Sequence, residues 1–133
     1  MLYKVSKRME IAGSHRLELD YDSPCSNLHG HNWIITVYCA SSQLNNNGMV
    51  IDFKHIKEEV HDKLDHTYIN DIININPTAE NIACYILEAV NECLSGSAGF
   101  CYKVEVQESE GNIASYCDMP KYLSENEIMG LLA

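Results

Sequence analysis

Three histidines in the first quarter of the chain could together bind a divalent metal ion. His29 and His31 flank one glycine at the start of a β-branched, aromatic run, so a strand would direct both imidazoles to the same face. His15 follows the first strand-like segment, and pairing of the two strands would bring it beside the other two. Three neutral imidazoles with an open fourth position are typical of catalytic zinc. We therefore predict one Zn²⁺ per subunit on His15, His29 and His31, with ordinary strand-end histidines as the alternative.

Cys25 lies four residues before His29 in the turn-rich segment Ser23–His29, where a core cysteine is not expected. A thiol near Zn²⁺ and imidazoles ionises easily, which makes Cys25 a candidate base or nucleophile. The residue types leave open a fourth zinc ligand or a bystander thiol. The other five cysteines lie in apolar or alternating segments, at positions 39, 84, 93, 101 and 117. Cysteine in such segments usually behaves as a buried hydrophobe, so we expect these five to be buried.

An acidic residue and a histidine are adjacent where the first predicted helix ends. Asp65 next to His66 has the form of a proton relay, in which the carboxylate orients the imidazole and favours its charged state. A surface pair near the negative end of a helix produces the same sequence, and this alternative stays open.

Glu108 is a candidate ligand-binding carboxylate because of its strand parity. It continues the alternating apolar face formed by Tyr102, Val104 and Val106. An ionised carboxylate on such a face needs a donor pair, such as the amidine-like edge of a pterin or guanine ring. The alternative is a strand end that is already solvated.

The elements that must position these groups follow from periodicity. Strands are predicted over residues 2–11 and 31–40, the second covered on both faces, with a short strand end at 49–51 and a hairpin over 100–117. Helices are predicted from Asp52 to Leu64, from Pro77 with inner residues Ile82, Ile86, Val90 and Cys93, and from Ser124 with a capping box to Glu127. The order β-β-(β)-α-α-β-β-α predicts an α+β fold with an antiparallel sheet under helices.

Size and charge restrict the classes of function. The 133 residues, with a net charge of −10 and 46% hydrophobic residues, predict one domain over residues 1–133 and argue against a nucleic-acid partner. A metal ion can still create a positive pocket for a small anionic substrate. No apolar run has the length of a membrane span or forms a signal-peptide core, so we expect no membrane partner and a cytoplasmic location.

Several motifs together resemble one family over residues 1 to about 117. They are C-x-x-x-H-G-H from Cys25 to His31 with the preceding His15, Leu64-Asp-His66, Pro77-Thr-Ala-Glu-Asn81 and Val106-Gln-Glu108. In this order and spacing they resemble the QueD/6-pyruvoyltetrahydropterin synthase family. The resemblance implies a tunnelling fold of ββααββ order with two helices on one face of the sheet. It also implies that subunits form a β-barrel, that two trimers stack into a homohexamer, and that active sites lie at subunit interfaces.

The spacing of Cys25 resembles the carboxytetrahydropterin branch. This implies a zinc-dependent lyase that converts 7,8-dihydroneopterin triphosphate to 6-carboxy-5,6,7,8-tetrahydropterin, acetaldehyde and triphosphate, on the route to queuosine and related deazapurines. The implied site residues are catalytic Cys25, Asp65, His66 and Glu108, and substrate-binding Glu108, Thr78 and Glu80. A 6-pyruvoyltetrahydropterin synthase and a non-catalytic zinc or pterin binder remain alternatives. The motifs do not cover the tail after about residue 118.

Overall fold

The computed structural model describes residues 1–133. Strands and helices follow one another as β1 (Tyr3–His15), β2 (His29–Ser41), α1 (Phe53–Glu59), α2 (His61–Leu64), β3 (Thr67–Tyr68), α3 (Ala79–Cys93), β4 (Phe100–Ser109), β5 (Asn112–Cys117) and α4 (Glu125–Leu132). Single 3₁₀ turns occupy Pro24–Ser26 and Ile69–Asp71. None of the helices combines the length and apolar character needed to span a membrane.

The strands form one sheet in the order β3-β1-β2-β4-β5. The long β1–β2 pair is antiparallel from Tyr3 opposite Ser41 to His15 opposite His29. Both strands extend beyond the predicted segments, so all three histidines lie inside the sheet and not after it. The alternation stops being visible after Ile11 because small residues follow, whereas the backbone pairing continues to the end of β1.

The main core lies between the sheet and the helices α1, α2 and α3. On the sheet it contains the alternate residues of β1 and β2, and on the helices it contains residues three or four apart, as the periodicity predicted. Each fully buried aliphatic side chain contributes roughly 1.5–3 kcal/mol, so this face carries most of the hydrophobic stabilisation. The α+β prediction with helices on one face of a sheet is confirmed, and the buried helical residues include Ile56, Val60, Leu64, Ile82, Ile86 and Val90.

Three predicted details are wrong. Residues 49–51 form no strand, because Val50 and Ile51 enter the core from an irregular segment that needs no strand partner. The helix predicted over 52–64 is divided at Val60, which has φ −116° and ψ −68°, although helical hydrogen bonds continue from Val60 to Ile56 and from Leu64 to Val60. The short β3, parallel to β1, stands between the helices, so the observed order is ββααβαββα.

A bulge in β4 separates residues that were predicted to share a face. Tyr38 pairs with Lys103 and Cys39 pairs with Cys101, so Tyr102 is an extra residue on β4. Its ring turns away from the main core, whereas Val104 is buried within it. The prediction that Tyr102 shares the face of Val104 and Val106 is therefore wrong.

The final helix packs on the other face of the sheet. Its predicted capping box is present, with Ser124 and Glu127 bonded reciprocally. Leu131 of α4 joins a second buried cluster with Ala40, Phe100, Tyr102 and Leu123. The sequence predicted that β2 is covered on both faces. This is confirmed only at the end of β2 that contains Ala40, because Ile34 and Thr36 on the same face are half-buried.

The burial expected for five cysteines applies to two of them. Cys39 and Cys101 are buried in the main core, whereas Cys84 is half-buried and Cys93 and Cys117 are exposed. Cys93 is the last residue of α3. Cys117 is the last residue of β5, which lies at the edge of the sheet. A short apolar pattern does not distinguish such terminal positions from the core.

Candidate active site

The three histidines lie side by side at one end of the β1–β2 pair. His15 is directly opposite His29, and His31 is opposite Gly13. Because side chains alternate along a strand, His15 continues the buried face of Ile11 and lies under the helices. One potential ligand atom from each of the three rings lies within 4.8 Å of the others. Strand pairing thus creates a group with the dimensions of a metal site.

Two backbone carbonyl groups determine which ring nitrogens face this group. His15 Nδ1 lies 2.8 Å from the carbonyl oxygen of Pro77, and His29 Nδ1 lies 2.7 Å from that of Asn27. A carbonyl oxygen can only accept, so both Nδ1 atoms carry the proton and both Nε2 atoms present lone pairs. These Nε2 atoms are 3.0 Å apart, a separation that is favourable only with a cation or a proton between them.

The third ring and the local electrostatics fit the same group. His31 Nε2 is buried and has no hydrogen-bond partner; it lies 3.6 Å from Glu108 Oε1. Burial lowers the pKa of His15 below its usual value. The hydrogen bond to Pro77 raises this pKa, and the neighbouring imidazoles of His29 and His31 lower it further. A lowered pKa favours the neutral imidazole, which is the form that binds a metal ion. An orphaned buried nitrogen beside two fixed lone pairs fits a three-histidine site for a divalent metal ion.

Trp33 forms the inner wall of the histidine group. Its ring contacts His15 and His31 edge to face, with centroids 4.9 and 5.1 Å apart, and its Nε1 donates to the carbonyl oxygen of Gly13 at 3.1 Å. A Cβ on Gly13 would lie 2.9 Å from Ile69 Cδ1, so the close approach favours glycine there. Sequence reasoning did not single out Trp33 as a support, although its parity with His29 and His31 was visible.

The three residues expected to bind substrate meet at one cavity. Thr78, Glu80 and Glu108 line a cavity of about 390 Å³, together with Leu17 and the turn between β4 and β5. The lining contains carboxylates and no lysine or arginine. Such a cavity suits a group that donates hydrogen bonds, whereas a polyphosphate would be repelled from it.

A second bulge lies at Glu108, beside this cavity. The β4–β5 register passes from Gln107 opposite Ile113 to Ser109 opposite Asn112, so Glu108 has no direct partner. Bulges of this kind bend a strand and re-aim one side chain, and they are frequent next to active sites. The carboxylate remains half-buried and turns towards His31.

The residues that begin α3 connect the cavity with the histidines. Thr78 caps the helix, since its hydroxyl accepts from the backbone N–H of Asn81 at 3.1 Å. The preceding Pro77 provides the carbonyl that fixes His15, and Glu80 in the first turn reaches the cavity. The predicted motif at residues 77–81 therefore contributes to both parts of the site.

Cys25 lies in the turn that leads into β2. The turn is capped by Ser23, whose hydroxyl accepts from the Cys25 N–H at 3.1 Å, and the Cys25 carbonyl accepts from the Leu17 N–H at 2.9 Å. The thiol is half-buried and does not belong to the histidine group within 4.8 Å. Cys25 is thus close in sequence to the site but is not positioned as a fourth ligand.

Asp65 and His66 are attached to β1. Asp65 Oδ1 accepts from the Ala12 N–H at 2.9 Å, and the His66 N–H donates to the Ala12 carbonyl at 2.7 Å. The Ala12 N–H is the main reason that the pKa of Asp65 lies below its usual value, and the nearby imidazoles of His66 and His61 act in the same direction. His66 has a φ of +57°, a strained conformation for a residue with a side chain.

His66 and Glu108 line two different cavities. Its Nε2 lies 3.4 Å from Asp65 Oδ2, and 82% of its side chain is exposed. The cavity beside it, of about 570 Å³, is lined partly by Ser14 and Asn32 from the sheet face opposite the histidine group. His31 also borders this cavity, so it is the residue shared by the two regions. Within one chain His66 therefore lines a different cavity from the one that Glu108 and Glu80 line.

Comparison with known proteins identifies the family. Residues 4–118 match the family described as 6-pyruvoyl tetrahydropterin synthase. The 6-carboxy-5,6,7,8-tetrahydropterin synthase of Synechocystis is 33% identical over 86% of this chain and 93% of its own length, and the 6-pyruvoyl tetrahydrobiopterin synthase of Homo sapiens is 30% identical over 85% and 90%. The structure of Caenorhabditis elegans 6-pyruvoyl tetrahydropterin synthase superimposes with a TM-score of 0.71 at 25% identity, covering 90% of this chain and 97% of that one. The resemblance inferred from the motifs is thereby confirmed: this chain belongs to the 6-pyruvoyl tetrahydropterin synthase family.

Proposed function

We propose that the protein is a zinc-dependent 6-carboxy-5,6,7,8-tetrahydropterin synthase. It converts 7,8-dihydroneopterin triphosphate and one water molecule, which supplies the second carboxyl oxygen, to 6-carboxy-5,6,7,8-tetrahydropterin, acetaldehyde and triphosphate, in the formation of queuosine and related deazapurines. The observation that carries the proposal is the convergence of three imidazoles next to the Glu108 carboxylate, which also lines the cavity with Thr78 and Glu80. The similarity to the Synechocystis enzyme and the cysteine four residues before His29 favour the carboxy product.

The cavity suits the ring end of this substrate. The pterin ring has adjacent N–H donors on its amidine-like edge, which a carboxylate can accept as a pair. Glu108 and Glu80 provide carboxylates there, and Thr78 provides a hydroxyl. Because no lysine or arginine lines the cavity, the triphosphate is bound outside it.

The chemistry assigns one role to each remaining group. Zn²⁺ on the three histidines supplies a Lewis acid for negative charge that develops on a substrate oxygen. Cys25, as a thiolate, removes a proton from a side-chain carbon of the substrate. Asp65 orients His66, which donates and accepts protons during rearrangement and carbon–carbon cleavage. Glu108 anchors the ring.

The separation of the relay pair supports an assembly of several copies. One edge of β1 is paired only at its end by the two-residue β3, and the outer edge of β5 has no partner strand. Open edges of this length readily pair with another chain. We propose a homohexamer of two trimeric barrels in which Asp65 and His66 of one copy complete the site of another. Light scattering coupled to size exclusion measures the mass; a monomer at micromolar concentration would contradict this assembly.

The second candidate is a 6-pyruvoyltetrahydropterin synthase, which the similarity to the human enzyme favours. Both candidates use the same substrate and differ in the product. Mass spectrometry of the products from zinc-loaded protein and 7,8-dihydroneopterin triphosphate distinguishes them. We expect the carboxy compound and acetaldehyde; a pyruvoyl product would overturn the branch assignment, and no turnover would favour a non-catalytic binder.

A matched pair of cysteine variants tests the proposed base in the same assay. Cys25→Ser should lower turnover by about 100-fold or more, the usual contribution of a general base. Cys93→Ser is the control, because Cys93 is exposed at the end of α3 and away from the site. Equal turnover in the two variants would reject Cys25 as the base.

A further inference from the structure

Two asparagine side chains bind the backbone of the segment that follows β1. Asn70 accepts from the Arg16 N–H at 3.0 Å and donates to the Arg16 carbonyl at 2.9 Å. Asn76 makes the same pair of bonds to Glu18, at 2.8 and 2.9 Å. A side-chain amide carries one acceptor and a donor side by side, so it can replace one residue of a neighbouring strand.

These bonds continue the edge of β1 beyond its last residue. Along this edge Ala12 is bonded by Asp65 and His66, and Ser14 is paired with β3. Arg16 and Glu18 are the next alternate positions, which direct their N–H and C=O groups to the same edge. The two amides therefore hold residues 16–18 extended where no strand is left to pair with them.

The extended segment supports the turn that carries Cys25. On its other edge the Leu17 N–H donates to the Cys25 carbonyl at 2.9 Å, and Arg16 Nε donates to the Ser26 carbonyl at 3.4 Å. Leu17 also lines the carboxylate cavity. The position of the Cys25 turn therefore depends on residues 16–18 as well as on β2.

Asn76 is itself fixed by the start of α3. Its carbonyl accepts from Asn81 Nδ2 at 2.9 Å and from the Thr78 N–H at 2.8 Å. The next residue, Pro77, binds His15. One short segment thus holds the histidine group through a carbonyl and the Cys25 turn through the amide of Asn76.

We propose that Asn70 and Asn76 are positioning residues that hold Cys25 at the site by clasping residues 16–18. The proposal rests on the role of Cys25 in the proposed function. The side-chain hydrogen bonds of both asparagines go to the backbone of residues 16 and 18, so they act through this segment and not on the substrate. Loss of either clasp should release the Cys25 turn while the histidine group stays intact.

The chain contains a matched control for this idea. Asn91 on α3 clasps Cys101 in the same way, accepting from its N–H at 2.8 Å and donating to its carbonyl at 2.9 Å. All three asparagines are half-buried. Cys101 lies near the start of β4, at the opposite end of that strand from Glu108. Asn91→Asp therefore removes an equivalent clasp away from the candidate site.

The experiment compares Asn70→Asp, Asn76→Asp and Asn91→Asp in the full chain. An aspartate keeps the acceptor for the backbone N–H but sets a negative oxygen against the carbonyl oxygen. Alkylation of Cys25 by iodoacetamide, followed on its own peptide by mass spectrometry, should accelerate about fivefold to tenfold in the first two variants, as expected for the loss of one or two hydrogen bonds. It should change less than about twofold in Asn91→Asp.

Turnover and metal content are measured on the same samples. In Asn70→Asp and Asn76→Asp we expect kcat to fall about tenfold while zinc content stays at the wild-type level. Asn70→Ser and Asn76→Ser, which remove the donor without adding charge, are used if an aspartate variant does not fold. Equal alkylation rates in all variants, or an equal acceleration in Asn91→Asp, would reject the positioning role. Accelerated alkylation in a protein without any pterin turnover would reject the proposed function and retain the clasp.

Discussion

The histidine group and the Asp65–His66 pair differ in how much of their surroundings one chain supplies. In the first, His15 is completely buried, two rings are fixed by carbonyl groups, and Trp33 forms a wall. In the second, the backbone is fastened to Ala12, but the ring of His66 is 82% exposed and has a single carboxylate contact. The histidine group is thus preorganised within one chain, whereas the Asp65–His66 pair has only its backbone in place.

This difference indicates which function each region can perform alone. Hydrogen bonds from ring nitrogens to carbonyl groups orient histidine ligands and raise metal affinity, so the histidine group has the geometry to hold an ion within a single chain. A proton relay needs groups within hydrogen-bond reach on both sides. His66 lacks such a group on one side, which is expected if another copy supplies it.

The largest effect is expected from His29→Ala. Removal of one of three ligands should abolish turnover and lower the affinity for Zn²⁺ by more than about 100-fold, which exceeds the usual effect of losing a group that only orients a ligand. Isothermal titration with Zn²⁺ measures the affinity. His55→Ala, on the exposed side of α1, is the control and should bind as the wild type does. Retained affinity in His29→Ala would mean that the three rings are not the site.

The next effect is expected from His66→Ala. Turnover should fall by about 100-fold, because general acid–base catalysis typically contributes that much, while zinc affinity stays unchanged. Mixing this variant with Cys25→Ser tests whether the pair acts across copies. After dissociation and reassembly, mixed oligomers should recover a measurable part of the wild-type turnover. No recovery from mixed oligomers would place the relay and the base in the same chain.

A smaller effect is expected from Asp65→Asn. The amide oxygen can still accept from the Ala12 N–H, so the fastening to β1 is kept while the charge that orients His66 is lost. We expect kcat to fall about tenfold with the melting temperature nearly unchanged. A large loss of melting temperature with unchanged kcat would show that Asp65 serves the fold alone.

The smallest effect is expected on the folding stability of the metal-free protein as the pH changes. Burial keeps the pKa of His15 below 6.5 in the folded chain, so the unfolded chain binds more protons as the pH falls below that value. Stability should therefore decrease between pH 6.5 and the lowered pKa, by at most about 1.4 kcal/mol per pH unit for one proton. Urea unfolding at pH 7 and pH 5.5 measures the change. His15→Gln should remove this dependence, and an unchanged slope in that variant would exclude His15 as its source.

The features that were predictable depend on local patterns. Alternation predicted the first strand up to Ile11 but not its continuation to His15, whereas the spacing of Ile82, Ile86 and Val90 placed α3 on the core, because these periods follow directly from backbone geometry. The capping residues Asp52 and Ser124 were readable for the same reason, since a cap bonds to residues two or three positions away. The expected strand at 49–51 failed because a short apolar segment can be buried without pairing.

The features that could not be read are bonds between distant segments. The bulge at Glu108 depends on how β5 pairs with β4, although strand parity did indicate the face of its carboxylate, and the asparagine clasps join residues 54 and 58 positions apart. An asparagine in a loop has the same local signature whether it forms a turn or binds a remote backbone. The position of the Trp33 ring against the histidines likewise depends on its hydrogen bond to the carbonyl oxygen of Gly13, 20 residues away in the chain.

By itself the sequence determined the identity of the chemical groups, the strands and helices that carry them and the family. The tertiary structure alone decided that the histidines are fixed within one chain and that Asp65 and His66 face another cavity. It also decided that residues 16–18 hold the Cys25 turn. The physical reason is that local periodicity reports the face on which a side chain lies, whereas its partners depend on pairing across the whole sheet.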